Sequence, residues 1–85
     1  MKEIRYIITD AEGIHARPAG LLVKVANQYK SKISISKEGK SVDAKKIFGV
    51  MGLCAKQGQE IMITIDGDDE LEATDDLSKF LKNNL

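Results

Sequence analysis

The chain has 85 residues, which supports one modest hydrophobic core and no second one. Its 42% hydrophobic content is too high for intrinsic disorder, and thirteen basic against thirteen acidic side chains leave no net charge, which argues against a nucleic-acid or membrane binder working through a basic field. No apolar run approaches the roughly 20 residues of a membrane span, no secretory signal pattern opens the sequence, and one cysteine allows neither an intrachain disulfide nor a cysteine metal cluster, so a single cytoplasmic domain over 1–85 is expected.

Ile4, Tyr6 and Ile8 alternate with Arg5, Ile7 and Thr9, the period of a strand with one apolar face. Asp10-Ala11-Glu12-Gly13 breaks it with turn formers. From 16 to about 29 the period becomes helical, with Leu21, Leu22, Val25, Ala26 and Tyr29 on one side. Pro18 fits only in the first turn, where its missing N–H has no intrahelical partner, so the helix starts at about His15. Ile33 and Ile35 mark a second strand, and Glu38-Gly39 turns it into a third over Lys40–Asp43.

A short helix is predicted over 46–55, burying Ile47, Val50, Met51 and Cys54, with Gly58 at its end and Cys54 as a small core residue. Ile61, Ile63 and Ile65 form a fourth strand, closed by Asp66-Gly67. The last helix is predicted over 70–82, with Leu71, Thr74, Leu77 or Ser78, and Leu81 inward. Its acids come early and Lys79 and Lys82 late, as the helix dipole prefers. The order β-α-β-β-α-β-α gives an α+β fold: a four-stranded, mainly antiparallel sheet with three helices on one face and the other face open. Periodicity does not supply the strand order.

The chemistry lies in Gly13-Ile14-His15-Ala16-Arg17-Pro18-Ala19. A helix N-terminus offers unpaired N–H groups and partial positive charge, which binds phosphate and favours a neutral imidazole. The backbone of Ala16 and Arg17 supplies the donors, and the Arg17 guanidinium adds a fork for a phosphoryl group carried on His15. A nitrogen nucleophile, an oxyanion-binding helix end and a cation together make a phosphoryl acceptor. Spacing alone leaves a plainer alternative open, in which His15 is a capping residue and Arg17 a solvated charge. With no second histidine or cysteine beside it, no metal site is expected.

The same segment resembles the active-site signature of HPr, the histidine-containing phosphocarrier of the bacterial phosphoenolpyruvate-dependent sugar phosphotransferase system. The resemblance continues through Gly39-Lys40-Ser41-Val42, through Lys45 with Ile47-Phe48-Gly49-Val50-Met51, and from Gly58 to Gly67, so it covers essentially the whole chain. It implies a monomeric, stoichiometric carrier without a cofactor, not an enzyme. Enzyme I would load Nδ1 of His15 and sugar-specific IIA proteins would unload it. It also implies an apolar docking patch, for which Gly20, Leu21, Ile47, Phe48 and Met51 are the candidates, although Ile47 and Met51 fit a core face equally well. One family feature is missing: many Gram-positive members carry a regulatory serine where this chain has Lys46. A regulatory paralogue that signals through His15 remains as an alternative. An RNA-binding α+β domain is disfavoured, because Phe48 and Phe80 fall in predicted helices rather than on the sheet.

Overall fold

Isoleucines at alternate positions make one face of a strand apolar, and in the computed structural model, which describes Met1–Leu85, those faces turn together against the helices. The elements are β1 (Lys2–Ile7), α1 (Ala16–Ala26), β2 (Lys32–Lys37), β3 (Lys40–Asp43), α2 (Ile47–Gly52), β4 (Glu60–Asp66) and α3 (Glu70–Asn84). The sheet order is β1-β4-β2-β3, with every neighbouring pair antiparallel. One apolar row crosses all four strands: Ile4 faces Ile63, Ile63 faces Ile35, and Ile35 faces Val42. The adjacent row, Arg5, Met62, Ser36 and Ser41, lies on the opposite, open face. Helix α1 packs between α2 and α3, α3 lies against β1 and β4, and α2 lies against β3. No helix is long and apolar enough to cross a membrane.

Five sequence expectations need correction. Helix α1 ends at Ala26, three residues before Tyr29, because Asn27 closes it. The Asn27 side-chain amide donates to the Val23 carbonyl at 2.9 Å and to the Lys45 carbonyl at 3.1 Å. Tyr29 still packs against the core, and its hydroxyl donates to Asp76, a contact that pushes its pKa up to about 12.

Helix α2 stops at Gly52 rather than at Ala55, and of its residues only Val50 is buried. Leu53 and Ala55 turn inward beyond it, while Cys54, at φ 53°, points out and is exposed. Gly58 therefore ends no helix; its N–H donates to the Ile8 carbonyl at 2.8 Å on the way into β4. Finally, α3 buries Leu77 and Leu81 as expected, but its inner face extends toward Ala73 and Phe80 rather than toward Leu71. Ala73, Leu77, Phe80 and Leu81 are buried, whereas Leu71 is 68% exposed.

Candidate functional site

The loop between β1 and α1 is held by its own short polar contacts. The Asp10 carboxylate accepts the Glu12 N–H at 2.8 Å, and the Asp10 carbonyl accepts the Gly13 N–H at 3.0 Å. Gly13 has φ 66°, and a Cβ there would lie 2.3 Å from the Ala55 carbonyl oxygen, so both backbone conformation and space require glycine. The next residue, Ile14, is buried and donates its N–H to the same carbonyl at 2.9 Å. The segment is thereby pinned to the Ala55 turn one residue before the histidine.

His15 is the N-cap of α1, in extended conformation, and its side chain makes no capping bond. The first helical N–H with an intrachain acceptor is that of Ala19, bonded to the His15 carbonyl at 3.0 Å. Ala16 and Arg17 are left with free N–H groups, and Pro18, buried in the first turn, has none. The His15 side chain is 38% exposed, and its Nε2 lies 3.4 Å from the Glu12 carboxylate. Arg17 is exposed.

His15, Arg17, Pro18 and Leu21 line one side of an open cleft of about 240 Å³, with Asp10 and the α3 residues Asn83 and Asn84 completing it. The Leu85 carbonyl accepts the N–H groups of Thr9 (2.6 Å) and Asp10 (2.9 Å), which ties the end of α3 to this loop. Periodicity singled out none of Asp10, Glu12, Asn83 or Asn84. An Asp two residues before Glu12 in a glycine turn was a readable signal for the first pair. The asparagines enter only through tertiary packing.

Near the cleft, the structure exposes the candidate docking residues, including Ile47 and Met51, which sequence reading left ambiguous between core and surface. Leu21, Ile47 and Met51 are exposed along with Phe48, which is 86% exposed. Helices α1 and α2 meet at Gly20, where a Cβ would lie 3.7 Å from Ile47 Cδ1. Lys46, at the N-cap of α2, makes no side-chain cap. Its N–H donates to the Asp43 carbonyl at 3.2 Å, and the Asp43 carboxylate accepts the Lys45 N–H at 2.9 Å.

With this geometry in place, similarity to known proteins becomes informative. A family model described as the PTS HPr component phosphorylation site matches residues 2–83. The chain is similar to HPr-C-His of Thermoanaerobacter tengcongensis, with a TM-score of 0.92 and 40% identity over 98% of this chain and 93% of that one. It is similar to the histidine-containing phosphocarrier protein of Mycoplasma, with a TM-score of 0.93 and 36% identity over 96% and 93%. It is also similar to the Bacillus subtilis catabolite repression protein Crh, which was solved as a domain-swapped dimer, with a TM-score of 0.78 and 34% identity over 100% and 98%.

Proposed function

The chain belongs to the HPr family of the phosphotransferase system, and from that premise we propose that it carries a phosphoryl group on His15 from Enzyme I to sugar-specific IIA proteins. The observation that carries this reading is the start of α1, where His15 stands beside two free backbone N–H groups. Those donors and the Arg17 guanidinium suit the oxygens of a phosphoryl group on the ring. The cleft is open, with Arg17 as its one basic side chain, which suits a phosphohistidine that must be passed on rather than trapped. The protein turns nothing over; it is loaded and unloaded once per cycle, as a monomer in the cytoplasm and without a cofactor. Gly20, Leu21, Ile47, Phe48 and Met51 form the surface on which donor and acceptor dock in turn. Their modest apolar extent fits brief encounters.

A regulatory reading is the second one, favoured by the similarity to Crh. Phosphoenolpyruvate and Enzyme I, followed by intact-mass measurement before and after acid treatment, test the first. The carrier should gain one acid-labile phosphoryl group and lose it to a purified IIA protein. Loading without onward transfer would favour the signalling role, and no loading at all would remove both. Because Lys46 replaces the regulatory serine, we also expect no acid-stable phosphate from an ATP-dependent serine kinase acting there.

A further inference from the structure

We propose that Glu12 is a positioning residue for His15, an inference that rests on the carrier reading above. Its carboxylate lies 3.4 Å from His15 Nε2, and its backbone is fixed two residues after Asp10 by the bond from the Glu12 N–H to the Asp10 carboxylate at 2.8 Å. Gly13, which admits no Cβ, sets the short span between Glu12 and the histidine.

An imidazole has two ring nitrogens, and a carboxylate beside one selects the tautomer with its proton there. The Glu12 carboxylate, 3.4 Å away, attracts a proton on Nε2 electrostatically, so the lone pair is left on Nδ1. That nitrogen has no hydrogen-bond partner in the chain and sits one bond from Cγ, nearer the backbone. In the transfer step the Nδ1 lone pair forms the new N–P bond. The bond between phosphorus and the donor breaks, and its electron pair leaves on the donor. The ring then holds a phosphoryl group on Nδ1 and a proton on Nε2, hence a positive charge facing the Glu12 carboxylate. Passing the group onward reverses each change, and Glu12 takes no proton in either direction. The carboxylate works on the Nε2 side, while the phosphoryl oxygens face the Ala16 and Arg17 N–H groups, so the two negative groups occupy different sides of the ring.

The test uses the full chain, with phosphoenolpyruvate and a bacterial Enzyme I as donor system. The wild type loading one acid-labile phosphoryl group establishes the carrier reading independently of Glu12. Glu12→Ala should then slow single-turnover loading by roughly 2- to 5-fold, the scale of an exposed charged contact, with unchanged final stoichiometry. Glu12→Gln, which keeps an acceptor oxygen without the charge, should fall between the two. The discriminating readout is the two-bond ¹H–¹⁵N spectrum of His15 at high pH, where the ring is neutral. Glu12→Ala should raise the population protonated on Nδ1. An unchanged loading rate together with an unchanged tautomer ratio in Glu12→Ala would overturn the proposal.

Discussion

None of the three helices begins with a residue whose side chain caps its own helix, and α1 and α3 use that freedom in opposite ways. At α1, His15 leaves the N–H groups of Ala16 and Arg17 open to solvent. At α3, the N-cap Asp69 reaches across to the turn before β2, where its carboxylate accepts the N–H of Lys30 at 2.7 Å, the N–H of Ser31 at 2.9 Å and the hydroxyl of Ser31. Glu70 then takes the Gly67 N–H at 3.3 Å and lies 2.9 Å from the Met1 ammonium. The same local element leaves donors open at one end of the fold and ties the chain together at the other. What differs is whether a carboxylate occupies the donors of the neighbouring backbone.

Substitutions at the two ends should therefore separate function from stability. The largest effect expected is that of His15→Ala, which should abolish acid-labile loading from phosphoenolpyruvate. Its melting temperature should stay within about 4 °C of wild type, since a surface position carries little packing. One phosphoryl group per chain in that variant would refute the site. Arg17→Ala should slow transfer by roughly tenfold through loss of a contact that strengthens as the group moves, again at nearly constant stability. Equal transfer kinetics in the stopped reaction would remove Arg17 from the mechanism.

The closed end should respond the other way. Ser31 is 1% exposed, and Ser31→Ala should cost about 1 kcal/mol, or about 4–8 °C in Tm, while loading proceeds at the wild-type rate. Acid should open this end as well. The Ser31 hydroxyl first, and then the Lys30 N–H, hold the Asp69 carboxyl below its ordinary value of 3.8. The N-terminal ammonium and the Gly67 N–H likewise lower Glu70. A carboxylate depressed in the folded state contributes its full stability above the ordinary range and loses it as pH falls below that range. Thermal melts from pH 5 down to pH 2 should show a steeper loss in wild type than in Asp69→Asn; parallel curves would mean that Asp69 is not the coupled group.

The smallest effect concerns a third helix start. Lys46→Ser should stabilise α2 by a few tenths of a kcal/mol, by removing a positive charge and adding a capping acceptor, and it should create a target for the serine kinase. Stoichiometric acid-stable phosphate on the wild type would contradict the role given to Lys46.

Much of the fold that frames this contrast is legible in the sequence. Pro18 dated the start of α1 to within a residue, and alternating isoleucines identified all three inner strand faces of β2, β4 and β1. Glu38-Gly39 also gave the hairpin correctly, both residues adopting positive φ (51° and 83°). The errors have two physical sources: apolar spacing does not say which side of an element faces the core, nor where the element stops. Tyr29 continues the α1 period but lies past an asparagine stop. Leu71 sits on the helical repeat of α3, yet Phe80 takes the buried place. In α2 the apolar run reads as core, whereas most of it is surface, because two glycines within six residues leave a helix too short to bury more than Val50. The place of His15 and Arg17 at the start of α1 was legible because a helix start has a sequence signature. Asn83 and Asn84 were not, since no local rule brings the end of α3 to the first loop.

Pro18 has one more consequence, for what the cleft ignores. A helix start with a third free donor in its first turn would form a three-point cradle, and cradles of that kind retain free anions. By deleting that donor, the proline leaves a two-point seat, which under the proposed function is completed only when a tetrahedral group is also bonded covalently to the ring. Millimolar inorganic phosphate or sulfate should thus compete weakly for the site, and a carrier working in a phosphate-rich solution stays available to its donor.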